Sequence, residues 1–357
     1  PYDNNIVQGV EYTVSSFTIS DGAFGSCFYF GTGFHGCNSN LLFIKKQNYI
    51  STITESSVKL QPYWVTGLSD GEGSFSVRFT KNSQRKSGWR VLPIFAIELH
   101  VRDLKLLERI QAFFCVGTVA VRKTRKAAVY TVQSFNDLTN IIIPHFDKYP
   151  LISQKQADFL FFKSIVSLLN KKEQSTLEGI QKILNYRASM NLGLSVLLKK
   201  AFPNTIAVPR PSVNFKGIPD PNWLTGFIDG KGCFHIGLKK SSLYAVGYQV
   251  KISFSVSQHT RDEFLLSELI TYLDCGAIEK ASRKPNGLVY IVYKYSKISD
   301  NIIPFFDKHP LQGTKFLDYK DFCKIADLMG EKSHLTVEGL NEIRLIRSGM
   351  NNGRINN

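Results

Sequence analysis

The chain has 357 residues, with 43% hydrophobic and 20% charged content, the balance of a soluble globular protein long enough for two domains with separate cores. Its formal net charge is +15. Residues 1–44 hold no Lys or Arg and only the acids Asp3, Glu11 and Asp21, so the remainder is more basic still. Such a surplus favours a polyanionic partner, nucleic acid ahead of an acidic membrane. The six cysteines (Cys27, Cys37, Cys115, Cys233, Cys275 and Cys323) form no CxxC pair and no Cys/His ligand spacing. That argues against zinc and for free, mostly buried thiols in a reducing compartment.

Residues 1–58 read as an extension foreign to the rest. The segment Gly22–Ile44 is aromatic- and glycine-rich and lacks Asp, Glu, Lys and Arg. GTGFHG (Gly31–Gly36) matches GxGxxG formally, but no βαβ unit or properly spaced acid follows, so a dinucleotide loop is rejected. The run Gln8–Gly36 closely resembles an internal stretch of cytochrome c oxidase subunit III and then breaks off. With Pro1 at the start, this has the look of an exon read in frame into an intron-encoded protein. Glu11 and His35 then belong to the host protein. An Arg-rich targeting presequence is not seen.

From residue 59 the elements come in a definite order. VTGLSDGEG (Val65–Gly73) reads as a short apolar helix. FSVRFT follows as a strand, with Phe75, Val77 and Phe79 on one side and Ser76, Arg78 and Thr80 on the other. A second strand covers about Val91–Leu99, and a helix opened by Asp103 (DLKLLERIQAFF) comes next. Two shorter strands and two further helices close this unit at residue 200. Residues 201–217 are a stiff linker marked by Pro203, Pro209 and Pro211, with Pro219 and Pro221 just beyond.

Residues 218–357 repeat the pattern. Trp64 aligns with Trp223, His100 with His259 and Arg102 with Arg261 at one constant offset. After one inserted residue, IIPHFDKYPLISQK (Ile142–Lys155) meets IIPFFDKHPLQGTK (Ile302–Lys315). LTGFIDGKG reads as the second motif helix, FHIGLK as its strand, Tyr248–Ser257 as the next strand, and Asp262 opens the following helix. His100 and His259 are read as packing or hydrogen-bonding groups. The fold class is α+β, a tandem repeat with antiparallel sheets open on one side, in which one chain supplies both halves of a two-fold arrangement. The copies differ sharply at one place, where Glu72 is answered by Lys231.

The repeated peptides VTGLSDGEG and LTGFIDGKG resemble the signature of the LAGLIDADG homing endonucleases, in the single-chain, two-motif form of fungal mitochondrial introns. The resemblance runs from about Leu60 to Arg354 and implies two αββαββα domains with saddle-shaped sheets. It implies that Gly67 and Gly226 let two motif helices touch, with Asp70, Gly71, Asp229 and Gly230 completing that interface. Asp70 and Asp229 are read as helix-end hydrogen-bonding groups, and Glu72 as the ligand of Mg²⁺ or another divalent cation. Lys155 and Lys315 match basic residues near the family's catalytic centre, with a plain helix-start role as the alternative.

The saddle would grip a long, asymmetric double-stranded DNA target as a monomeric pseudo-dimer. Expected contacts are Ser76, Arg78, Thr80, Lys81, Arg85, Lys86, Arg90, Arg122 and Lys123 from one half. From the other they are His235, Lys239, Lys240, Lys251, Lys280, Arg283 and Lys284. The sequence leaves three readings of Lys231 open: compensation by a neighbouring carboxylate, a single competent centre that nicks or cuts slowly, or loss of cleavage. The main expectation is a Mg²⁺-dependent DNA hydrolase serving intron mobility, encoded in the mitochondrial genome and acting in the matrix, with no membrane partner. The alternative is an RNA-binding maturase of the host intron, or an inactive DNA-binding homologue.

Overall fold

The structure is a computed structural model that describes residues 16–18, 24–26, 59–282 and 284–354. The chain divides into two units, Pro1–Val58 and Lys59–Asn357. In the first, β1 (Ser16–Thr18) pairs antiparallel with β2 (Phe24–Ser26). Both copies of the repeat lie in the second unit, which holds everything below. No helix among the described residues is long and apolar enough to cross a membrane.

Each half opens on a motif helix, α1 (Pro62–Glu72) and α5 (Pro221–Lys231). Proline heads both, where its missing N–H would have had no partner. The helices run straight into β3 (Gly73–Lys81) and β7 (Gly232–Lys240), which pair with β4 (Trp89–His100) and β8 (Tyr248–His259). Helices α2 (Leu104–Phe114) and α6 (Glu263–Leu273) follow. Strands β5 (Thr118–Arg122) with β6 (Ala127–Val132), and β9 (Ala277–Lys280) with β10 (Gly287–Val292), complete two four-stranded antiparallel sheets. Their orders are β3-β4-β6-β5 and β7-β8-β10-β9. The last long helices are α3 (Lys155–Asn170) with α4 (Leu177–Ala188) and α7 (Lys315–Gly330) with α8 (Val337–Ser348).

The alternation read from the sequence is what divides each sheet. Phe75 and Val77 are buried in one half, Phe234 and Ile236 in the other, while Arg78, His235 and Lys239 are exposed. Phe75 packs on Phe95, Phe146, Phe159 and Phe162; Phe234 does the same with Phe254, Phe306, Tyr319 and Phe322. Burying each ring contributes about 1.5–3 kcal/mol, so each half has its own aromatic core. Ile152 of the first half joins the core of the second.

The motif helices form the axis between halves. A Cβ added at Gly67 would lie 1.9 Å from the Trp223 carbonyl oxygen, and one at Gly226 would lie 2.0 Å from that of Trp64. Only hydrogen fits at either crossing. Trp64 and Trp223 are buried there, and each indole reaches across. Trp64 Nε1 donates to Asp229 at 3.0 Å, and Trp223 Nε1 to Asp70 at 3.0 Å.

A second reciprocal pair joins the halves at the helix starts. Asp103 and Asp262 stand directly before α2 and α6, as the sequence has them open these helices, but neither carboxylate caps its own helix. Asp103 Oδ1 instead accepts from Thr314 N and Oγ1, both at 2.8 Å, just before α7 in the other half. Asp262 Oδ1 accepts from Gln154 N at 2.7 Å, just before α3. The thiols differ from expectation. Among the described cysteines Cys275 is buried, Cys233 and Cys323 are partly exposed, and Cys115 is exposed.

Candidate catalytic centre and nucleic-acid interface

Both motif helices end at the same place. Lys231 Nζ lies 3.0 Å from Glu72 Oε1, with side-chain exposures of 29% and 27%. Gly71 and Gly230 make room for this pair. A Cβ at Gly230 would sit 3.1 Å from Glu72 Cγ, and one at Gly71 would sit 3.5 Å from Lys231 Cγ. Each long side chain thus crosses the other helix's glycine. Two acids here would repel each other and the negative helix ends, whereas one acid and one base attract.

Lys155 and Lys315 reach the same helix ends from beneath. Lys155 Nζ donates to the carbonyls of Ser69 (2.8 Å) and Gly71 (3.3 Å), and Lys315 Nζ to that of Ile228 (2.9 Å). Cations on terminal carbonyls stabilise a helix end. The buried aspartates hold these lysines in place. Asp70 accepts from Ile152 N at 2.9 Å and from Ser153 N and Oγ, fixing the turn that launches α3 at Lys155. Asp229 accepts from Gln312 N at 2.8 Å and Gly313 N at 3.1 Å, fixing the turn before Lys315. Burial raises both carboxyls, Asp229 to about 6, while these donors oppose the rise. Their oxygens are occupied by backbone and indole hydrogens, which suits positioning rather than a cation.

Burial lowers the Lys155 ammonium from its ordinary 10.5 to about 8, against the pull of Asp70; it lowers Lys315 as well. Between 8 and 10.5 the unfolded chain keeps a proton that the native state has shed, so stability rises with pH there. The unfolding free energy of wild type minus that of Lys155→Met should therefore climb from about pH 8 to 10.5 and stay level below 8. A level difference throughout would mean that Lys155 titrates like an exposed lysine.

A cavity of about 370 Å³ opens onto this centre, lined by Glu72, Gly230 and Lys315 and by His100, Arg125 and Lys126 of the neighbouring sheet. Arg125 and Lys126 are exposed and had no place among the expected contacts. Their signal was present in the basic run VRKTRK (Val121–Lys126). Trp64, Trp223, Asp103 and Asp262 were likewise assigned no bridging role. His100 and His259 each accept from the backbone two residues on, Arg102 N and Arg261 N.

On the open sheet faces the strand register sorts the expected contacts. Ser76, Arg78, Thr80 and Arg90 share one face, with Thr80 opposite Arg90. His235, Lys239 and Lys251 share the corresponding face of the second sheet. Arg122 lies 3.4 Å from Glu98, so one expected DNA contact already has a carboxylate beside it. Arg85 and Lys86 ride the turn after β3, Lys123 the turn after β5, and Lys284 the turn before β10. Lys81 pairs with Trp89, Lys240 with Tyr248 and Lys280 with Leu288, which gives these three exposed lysines the core-side parity at their strand ends. Arg283 lies outside the described residues, as do Cys27, Cys37, Glu11 and His35.

The family model described as LAGLIDADG endonuclease matches residues 65–166 and 224–326, one match per half. This chain belongs to the LAGLIDADG endonucleases. A probable intron-encoded endonuclease of Neurospora crassa is 38% identical over 293 residues, 82% of this chain and 54% of the relative. The chain thus spans about half the length of that relative. The solved LAGLIDADG homing endonuclease I-SmaMI, bound to cleaved DNA, is 47% identical; the likeness covers 83% of this chain and 99% of that one, with a TM-score of 0.81. I-SmaMI has also been solved on uncleaved DNA target in the presence of calcium ions.

The extension has a separate origin. The cytochrome c oxidase subunit III model matches residues 4–51, and subunit 3 of Podospora anserina is 87% identical over 31 residues, 9% of this chain and 12% of that protein. Both resemblances read from the sequence therefore hold. The α+β architecture with its two four-stranded antiparallel sheets is that of the LAGLIDADG endonucleases.

The centre fits one divalent ion better than two. Mg²⁺ commonly takes one or two carboxylates and fills its shell with water and substrate phosphate. Glu72 can supply such a carboxylate. Lys231 at the matching place has three donor hydrogens and no acceptor. Among the described residues no three His, Cys, Asp or Glu side chains cluster to hold a metal. An ion at Glu72 would thus rely on DNA and water for its other ligands.

Proposed function

We propose that this chain is a site-specific DNA endonuclease of intron mobility, with a catalytic centre competent on one strand only. The ion pair of Glu72 with Lys231 at 3.0 Å carries this reading. The open faces, bearing Arg78 and Arg90 in one half and His235, Lys239 and Lys251 in the other, would grip an asymmetric duplex through phosphates and base edges. Glu72 would hold a divalent ion against one scissile phosphate; when bound, such an ion polarises the phosphoryl oxygen and makes its water a better nucleophile. Lys315, which lines the cavity with Glu72, would stabilise charge developing on that phosphate. Lys231 would face the other strand, able to neutralise a phosphate but not to replace the acid. The match to cytochrome c oxidase subunit III supports encoding within that host gene in a fungal mitochondrial genome, and the matrix as the place of action.

The test is incubation of the protein with Mg²⁺ and supercoiled plasmid carrying the intronless host gene. Nicked circles should accumulate with little linear product, and Lys231→Glu should raise the linear fraction. Rapid linearisation by wild type would overturn the one-strand reading.

The same ion pair also suits a chain in which cleavage is lost; in that second reading the chain would serve its host intron RNA as a maturase. Wild type would then leave the plasmid uncut, and splicing of the host intron would require the protein.

A further inference from the structure

Lys155, Lys231 and Lys315 converge on two helix ends, and Glu72 is the partly exposed carboxylate among them. Asp70 and Asp229 are buried and occupied by backbone and indole donors. Glu98 and Asp103, at the cavity wall, face Arg122 and Thr314. Lys231 and Glu72 are each more than a quarter exposed, so both can turn from one another towards a ligand arriving over the saddle.

We propose that Lys231 is a tethered cation that substitutes for one divalent ion in docking the DNA backbone, so that tight binding at the centre needs no free metal. This rests on the reading that duplex DNA is the partner. With an acid at position 231, two carboxylates would confront the scissile phosphates, and dissolved cations would have to screen them before DNA could seat. Lys231 supplies that screening covalently. Without DNA its ammonium neutralises Glu72. When a phosphate arrives the ammonium moves to it, and Glu72 becomes available for an ion. Docking and metal loading are then separate events, joined by one lysine with two alternative partners.

The proposal is tested by equilibrium binding of the full chain, Lys231→Glu and Lys231→Met to a linear duplex spanning the joined host exons. Each is measured in EDTA and again with Ca²⁺, with melting curves to verify folding. Wild-type affinity should differ by less than about threefold between the two conditions. Lys231→Glu should bind about tenfold or more weakly in EDTA, where like charges meet unscreened, and recover with Ca²⁺. Lys231→Met, which adds no second carboxylate, should lower the salt slope in EDTA by about one. Equal Ca²⁺ dependence of wild type and Lys231→Glu, or an unchanged salt slope in Lys231→Met, overturns the tethered-cation proposal alone. No binding by any of the three proteins in either condition overturns it together with the DNA-docking reading.

Discussion

Glu72→Gln should leave the protein folded and able to bind DNA while abolishing cleavage. The expected loss is roughly a thousandfold or more, the scale of the several kcal/mol that a metal centre provides. The substitution keeps the shape of the side chain, and its amide oxygen can still accept from Lys231, 3.0 Å away in the wild type. What disappears is the charge that would hold a cation. The nearest buried acids, Asp70 and Asp229, are committed to the turns before α3 and α7. Nicking assays paired with binding and melting measurements check the result. A Glu72→Gln protein that nicks at the wild-type rate would show that the chemistry lies elsewhere.

Gly67→Ala should be strongly damaging to the fold. Its Cβ would fall 1.9 Å from the Trp223 carbonyl oxygen, which is backbone and cannot rotate aside. The helices would have to part. That would loosen the two indole bonds, Trp64 to Asp229 and Trp223 to Asp70, that cross the same contact. Overpacking alone costs about 1–3 kcal/mol, and the linked hydrogen bonds raise the expected total above 3 kcal/mol. Chemical unfolding or failure to accumulate in the soluble fraction reads this out. Gly237→Ala is the control, since nothing approaches its added Cβ within 3.7 Å on the open face. Equal midpoints for the two variants would refute the close-packed axis.

Much of this was legible before any coordinates. Two copies of one glycine-rich peptide implied a shared axis, and the period-two pattern in FSVRFT and FHIGLK gave each sheet its buried and open sides. The same pattern also placed Lys81 and Lys240, since they fall on the parity of Phe79 and Leu238 at the exposed strand ends. Other features were out of reach. Asp103 and Asp262 mark the openings of their helices in the sequence, but their carboxylates bond elsewhere. Their partners, Thr314 and Gln154, lie in the opposite half, and local spacing carries no record of them. The pairing of Arg122 with Glu98 depends on which strands become neighbours. The meaning of Lys231 lay between: its charge was visible, but its direct contact with Glu72 required the convergence of both helices.

The crossed hydrogen bonds have an evolutionary side. Each half lends an indole and a carboxylate to the other and borrows the same pair back, so neither is a self-sufficient cassette. A recombinant joining the first half of this chain to the second half of a relative would inherit a new open sheet face in one step. It would keep its footing only where the incoming half restores a tryptophan for Asp70, an aspartate for Trp64 and a carboxylate for Gln154. The open faces can therefore change freely while the seam changes slowly, because every change there has to be matched on the far side.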